Sequence, residues 1–217
     1  MSGFVIAVDG PAASGKGTIA QGLGEAYGLP VLDSGLLYRA VGVTLLGEDG
    51  DLADEMAAVA VAGRLDPARL ADPAFRTRAA GEAASRVAAY PGVRAALRDF
   101  QRAFAAQPGG AVIDGRDIGT VIAPDAPAKL FVTASPEARA RRRWLQLSDT
   151  DASVAYEDIL ADIRLRDERD AGRADSPMRA AADAVLLDTT EMSISATADA
   201  ARRIVEAARA KWEQSQR

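Results

Sequence analysis

Residues Phe4–Thr18 read FVIAVDGPAASGKGT, and this stretch decides the fold. Phe4–Val8 is a short, β-prone apolar run of the kind a strand buried on both faces requires, and Asp9-Gly10 ends it. Gly10, four intervening residues, Gly15 and Lys16 then give the P-loop spacing. In such a loop backbone N–H groups wrap a polyphosphate, and the helix that follows points its positive end at it. Gly10, Pro11, Ala12, Ala13, Ser14, Gly15, Lys16, Gly17 and Thr18 are therefore the expected ATP-binding residues, with Lys16 as the point charge and Thr18 as the magnesium-directed hydroxyl. A glycine-rich strand-to-helix turn with no ligand is the bland alternative. The chain has 23 arginines and only 3 lysines, so a lysine at this position is not background.

At 217 residues the chain can bury a full core, and the length suits one domain, residues 1–217, with an inserted or mobile subregion. It has no cysteine, which removes disulfides and thiolate metal sites and is consistent with a reducing compartment. It also has no histidine, which argues against zinc hydrolases and any mechanism built on a Ser-His or Cys-His pair. A net charge of −5 gives no global basic field to attract nucleic acid. No apolar run reaches membrane-spanning length, and MSGFVIAVDG lacks the features of a signal peptide, so no membrane partner and a cytoplasmic location are expected.

Strand-like runs at Phe4–Val8, Pro30–Leu32, Ala111–Ile113, Lys129–Thr133 and Ala184–Leu187 alternate with helical stretches. That alternation predicts an α/β fold, an open parallel five-stranded sheet with helices on both faces. Such sheets bind ligands at the carboxyl ends of their strands. Each run here is followed by polar or charged residues: Asp9-Gly10, Asp33-Ser34-Gly35, Asp114-Gly115-Arg116-Asp117, Ser135 and Asp188-Thr189-Thr190. Between about 46 and 90 the pattern is helical, alanine-rich and broken by Gly47, Gly50, Pro67, Asp72-Pro73 and Gly81, which reads as an inserted helical subregion without a strand. A second candidate mobile segment, about 148–182, is charged and contains Gly172 and Pro177.

Four constellations can do chemistry. Asp33-Ser34-Gly35 opens a helix that Ser34 can cap, and Arg39, one turn on, can reach an anionic acceptor beside the P-loop. Asp114-Gly115-Arg116-Asp117 offers Arg116 to a phosphate and a carboxylate to a hydrogen bond or to a water on magnesium, although an ion-pair knot is the structural alternative. Ser135-Pro136-Glu137 opens a helix on which Arg139, Arg142 and Arg143 fall at i, i+3 and i+4; their repulsion calls for carboxylates elsewhere or a bound phosphate, and a solvated basic face is the alternative. In the helix around Ala152–Asp170 the apolar stripe Tyr156, Ile159, Leu160, Ile163 continues as Arg166, Asp167 and Asp170, with Arg169 and Arg173 nearby. Charges on a core-facing stripe need partners, so this end should overhang a polar cleft, unless i,i+4 pairs such as Asp162 with Arg166 satisfy it locally.

A kinase whose acceptor is itself a phosphate needs no strong base, because the acceptor's second pKa is about 6. It does need cations to screen two polyanions, and arginine serves that need. GPAASGKGT, LDSGLLYRA, ASRVAAYPGVRAALRDFQRAF (84–104), IDGRDIGTVIAPDAP and RLRDERDAGR, in this order, resemble bacterial cytidylate kinase. The GKGT ending, with Gly17 where the strict pattern has Ser or Thr, is typical of nucleoside-monophosphate kinases. The resemblance implies ATP with Mg2+ on the P-loop and CMP or dCMP under the 46–90 insert, with 148–182 as a lid. It gives Arg39, Arg116 and Arg173 to the acceptor phosphate, Arg166 and Asp170 to the ribose, and Ser85, Arg94 and Asp117 to the base. It also places Ser34 at the acceptor and Arg142, with Lys16, Arg116 and Arg173, about the transferring phosphoryl group. Read by themselves, Ser85 is also a plausible helix residue and Arg94 a plausible surface charge. The 46–90 region departs from the family in being shorter and lacking its strand-forming segment. A monomer is expected.

Two other readings stay open at this point. One is a P-loop kinase for another small acceptor, UMP or a hydroxyl substrate of the shikimate type, the latter with Asp33 or Asp117 orienting the hydroxyl. The other is a nucleotide-gated switch protein with no turnover.

Overall fold

The computed structural model describes residues 3–148 and 154–217. Five strands form one sheet in the order β2-β3-β1-β4-β5, with β1 Phe4–Asp9, β2 Val31–Asp33, β3 Gly110–Gly115, β4 Ala128–Thr133 and β5 Val185–Asp188. β1 pairs in parallel with β3 and β4, and β4 pairs in parallel with β5. The five expected strands are all present, and each observed one differs from its sequence reading by one or two residues at an end. β1 and β3 are buried at every position, which is why they read as unbroken apolar runs. β5 is an edge strand with only Leu187 buried, so its apolar sequence does not imply burial on both faces.

Two compact units make up the chain, residues 1–32 with 105–217 and residues 33–104. In the first, α1 (Lys16–Tyr27) and α8 (Ile194–Ser215) lay Ile19, Leu23, Ala201 and Val205 against Ile6, Val8, Leu130 and Leu187 of the sheet. Burying each such aliphatic side chain is worth roughly 1.5–3 kcal/mol. At one end Phe4 meets Trp212 with ring centroids 5.4 Å apart. α6 (Pro136–Ser148) and α7 (Tyr156–Ala171) pack through Ala140, Ile159 and Ile163. The expected helix start at Ala152 and residues 149–153 of the 148–182 segment lie outside the described residues; the described helix begins at Tyr156.

The second unit is helical: α2 (Ser34–Gly47), α3 (Glu55–Gly63), α4 (Arg78–Val87) and most of α5 (Pro91–Ala105). Leu37, Val41 and Leu45 of α2 meet Ala83, Ala84 and Val87 of α4, with Val61, Val93 and Leu97 closing the cluster. Between α3 and α4 lie two short 3-10 turns, Pro67–Ala71 and Pro73–Arg76, each begun by an Asp-Pro pair. Asp66 and Asp72 accept from the amides of Ala68 and Ala74 at 2.9 Å, and proline occupies the first turn where no N–H is needed. Among the described residues the 46–90 region contains no strand. No described helix is long and apolar enough to cross a membrane.

Candidate active site

The loop after β1 has the backbone of an anion cradle. Ala13 has φ 59° and Gly15 φ 90°, so left-handed residues alternate with ordinary ones and turn successive N–H groups toward one side. Gly15 is the N-cap of α1, and its conformation rather than crowding demands glycine, since a Cβ there would meet nothing within 4 Å. Ala13, a non-glycine residue held at positive φ, marks strain of the kind found where a loop is shaped for a ligand. Ser14 is buried, and its Oγ has no hydrogen-bond partner among the described residues.

Lys16 Nζ stands 3.5 Å from Asp114 Oδ1 at the end of β3. Gly17 then has a reason of its own: a Cβ at that position would lie 3.2 Å from Asp114 Oδ2. The residue that breaks the strict P-loop pattern is the one against which the carboxylate rests.

Register carries the next group into place. Asp9 of β1 pairs with Gly115 of β3, so the P-loop and the Arg116-Asp117 segment leave the sheet side by side. Arg116 Nε donates to Asp170 Oδ2 at 2.9 Å, and Arg173 also donates to Asp170. Asp170 is buried at the end of α7. Burial pushes its carboxyl up, but Arg116, Arg173 and Arg166 outweigh that and hold it below the usual carboxylate range. Arg116, Arg166, Asp170 and Arg173, chosen from sequence, thus come together as one charge cluster. Asp117 is buried at the start of a single π-helical turn, Ile118–Ile122. Asp9 accepts from the amides of Ile118 and Gly119 on that turn.

The arginine stripe of α6 is resolved differently from its simplest reading. Arg139 is buried and binds both oxygens of Asp167, at 3.0 and 2.5 Å, and the carbonyls of Ala134 and Ala12 at 2.8 and 3.2 Å. It therefore braces the P-loop backbone from behind. Arg142 donates to Thr189 Oγ1 at 3.0 Å and to the Thr189 carbonyl, and the Thr189 hydroxyl in turn lies 3.2 Å from the Ser14 carbonyl. Arg143 reaches Gln146 at 3.5 Å. The ionic end of the α7 stripe is answered across elements, with Asp167 paired to α6 and Asp170 to the segment after β3. Ser135 caps α6, accepting from Ala138 N at 3.2 Å.

Ser34, Arg39, Ser85 and Arg94 belong to the second unit. The cap of α2 is Asp33, which accepts from Gly35 N at 2.9 Å; Ser34, expected as the cap, is instead the first helical residue and is buried. Asp33 precedes the helix with extended backbone, which aims its carboxylate at the free amides. Arg39 Nη1 donates to the carbonyls of Phe75 and Thr77 at 3.2 and 3.0 Å. Ser85 is a helix residue, buried in α4 at 3 % exposure, and Arg94, 4 % exposed, is not the surface charge its pattern allows. The Arg94 guanidinium lies over the Tyr38 ring, 5.6 Å from its centroid. Arg139 and Asp167 stood in the charged stripes of the sequence, and Asp9 and Thr189 at its strand ends, but none of the four was given a binding or catalytic role; nothing local distinguishes Asp9 from any polar residue that ends a strand.

Among the described residues no group of three or more acidic side chains is placed to hold a metal ion. Thr18 in the first turn of α1 and Asp114 beside Gly17 are oxygen donors at the cradle that would suit Mg2+, which takes one or two protein ligands and fills the rest with phosphate and water.

Known proteins match along nearly the whole chain. The family model described as Cytidylate kinase matches residues 6–208. A cytidylate kinase of Caulobacter sp. (strain K31) is 66 % identical over 209 residues, covering 96 % of this chain and 97 % of that one. One from Xanthobacter autotrophicus is 63 % identical over 207 residues, covering 95 % and 99 %. One from Rhodopseudomonas palustris is 54 % identical over 207 residues, covering 95 % and 98 %. A crystal structure of a Thermus thermophilus protein is 23 % identical, covers 95 % of this chain and 98 % of that one, and superposes with a TM-score of 0.47.

Proposed function

The chain belongs to the cytidylate kinase family, and from that premise we propose that it transfers the γ-phosphoryl group of ATP to CMP and dCMP, giving CDP and dCDP. The observation that carries the chemistry is the first unit's charge plan: a P-loop lysine beside Asp114, and Arg116 and Arg173 both held on the buried Asp170. The shikimate-type and switch readings are not favoured.

The cradle amides and Lys16 bind and orient the ATP phosphates, and Lys16 screens charge that spreads over the transferring oxygens. Thr18 and the Asp114 carboxylate would hold magnesium together with ATP, and the ion would supply further charge neutralisation there. Arg116, Arg173 and Arg39 bind the acceptor phosphate, and Arg142 serves the transferring group. Asp170 keeps two of these arginines from collapsing onto other anions and from repelling each other. With Arg166 it also receives the ribose hydroxyls. No side chain has to remove a proton, because the acceptor phosphate is already largely ionised near pH 7 with a pKa of about 6. A protein without histidine is equal to that task.

Ser85, Arg94 and Asp117 read the base. A carboxylate at Asp117 accepts from the exocyclic amine of cytosine, where uracil presents a carbonyl. The 46–90 helical segment serves as the nucleoside-binding insert and 148–182 as the lid. The proposal extends to a cytoplasmic monomer that meets its nucleotides in solution.

The test is the initial rate of ADP formation from Mg-ATP with CMP, dCMP, UMP, AMP, GMP and shikimate offered separately, beside a control without acceptor. Fast turnover confined to CMP and dCMP supports the whole reading. Turnover only with another acceptor would retain the P-loop chemistry and discard Ser85, Arg94 and Asp117 as cytosine readers.

A further inference from the structure

Asp9 has no part in the reaction as derived above, yet the fold spends a buried carboxylate on it. It is 4 % exposed, and its two oxygens accept from two consecutive amides, Ile118 N at 2.8 Å and Gly119 N at 2.7 Å. The hydrogen bonds of the π turn explain why. Val121 and Ile122 donate to the Asp117 carbonyl, and Ala123 donates to the Ile118 carbonyl, so the amides of Ile118 and Gly119 have no acceptor within the turn. One carboxylate answers both and thereby fixes the planes of the two peptides that follow Asp117. Burial pushes the Asp9 carboxyl up to about 7, with the charges of Asp117 and Asp114 adding to it, even though both amide bonds act in the other direction. A side chain whose sole task was to end a strand would not need this arrangement.

What the clamp holds is the segment bearing Arg116 and Asp117. On its near side Gly115 is in register with Asp9 itself across the β1–β3 pairing. On its far side are the two clamped amides. Arg116 and Asp117 are therefore the two residues suspended between a strand register and a carboxylate clamp, both set by Asp9. We propose that Asp9 is a positioning residue for acceptor selection: by holding Ile118 and Gly119 it sets the direction in which Arg116 and Asp117 meet the acceptor nucleotide. This rests on the assignment of Arg116 to the acceptor phosphate and Asp117 to the base.

A purely structural role would look different. Asp9 immediately precedes Gly10, so a residue that merely supported the strand end would disturb ATP binding at least as much as acceptor binding. The experiment compares Asp9→Asn, which keeps the shape but replaces one acceptor by a donor facing an amide, with Gly119→Ala. The Cβ of the latter would stand 3.3 Å from Asp9 Oδ2 and 3.3 Å from Lys129 Cδ, so it displaces the clamp from the other side. KM and kcat are measured for ATP, CMP and UMP, with thermal melts to show that each variant is folded. Both variants should raise KM for CMP about 10- to 100-fold and narrow the CMP-to-UMP ratio of kcat/KM, while KM for ATP stays within about twofold. Equal effects on ATP and CMP, or an unchanged CMP-to-UMP ratio, would overturn the proposal. Should Asp9→Asn fail to fold, Gly119→Ala decides alone. Asp117→Ala is the control: if it too leaves the ratio unchanged, the acceptor-site assignment falls and the positioning role with it, whereas a narrowed ratio in Asp117→Ala alone removes only the positioning role.

Discussion

Replacing Asp170 by asparagine tests the charge plan most directly. Its side chain is 2 % exposed, and those of Arg173 and Arg116, which both donate to it, are 6 % and 16 % exposed. Removing one partner of a buried ion pair costs about 3–5 kcal/mol, because the charge left behind is not rehydrated. Asparagine keeps one acceptor oxygen for one arginine, so the lower end, about 3 kcal/mol, is the expected loss. In a chain of this size that lowers Tm by roughly 6–12 °C. The pH dependence is a second signature. The folded carboxyl titrates below the usual carboxylate value of 3.8, so its contribution is complete above that value and is lost as pH falls below it through the folded pKa. Wild type should therefore lose more stability than Asp170→Asn as pH falls below 3.8, and the two stability curves should converge. Urea titrations at several pH values measure this, and KM for CMP should rise about tenfold in the same variant with KM for ATP little changed. A Tm loss below about 2 °C at neutral pH, the scale of an exposed ion pair, would refute the argument that Asp170 carries the two arginines.

Three further outcomes are expected. Lys16→Ala should lower kcat by about 100-fold or more while a near-native circular dichroism spectrum persists; wild-type turnover in that variant would sink the P-loop assignment. Asp117→Ala should shrink the preference for CMP over UMP more than it weakens ATP binding, as read from kcat/KM for each acceptor. Gly17→Ala puts a methyl 3.2 Å from Asp114 Oδ2, displacing the carboxylate beside Lys16, while alanine raises helix propensity by about 1 kcal/mol. Its Tm should hold within about 2 °C as KM for ATP rises several-fold, and unchanged ATP kinetics would mean that the close approach has no functional weight.

The P-loop, the five strands and the helical character of 46–90 were legible in the sequence because each is a short-range pattern. A strand buried on both faces must be apolar throughout, a phosphate cradle must place glycine where the backbone turns left-handed, and Asp-Pro pairs must break helices. The second unit, residues 33–104, takes in α2 and most of α5 together with the helical 46–90 region, because Leu37, Val41, Leu45, Val93 and Leu97 share one cluster with Val61, Ala83, Ala84 and Val87, a grouping no local pattern announces. Charge partners were the least legible part. The stripe of Arg166, Asp167 and Asp170 announced that partners were needed, and the local Arg166 does act on Asp170, yet the long-range hydrogen-bonded partners of Asp167 and Asp170 could not be read from it. Asp167 pairs with Arg139, 28 residues earlier, and Asp170 with Arg116, 54 residues earlier. Asp9 reaches amides 109 and 110 residues away. By itself the sequence determined which elements form and which residue types stand at the strand ends, because those follow from periodicity and backbone sterics within a few residues. The tertiary structure alone decided which carboxylate neutralises which arginine and which amides Asp9 holds, because an ion pair or a hydrogen bond depends on separation in space, and that is set by the path of the chain between its two ends.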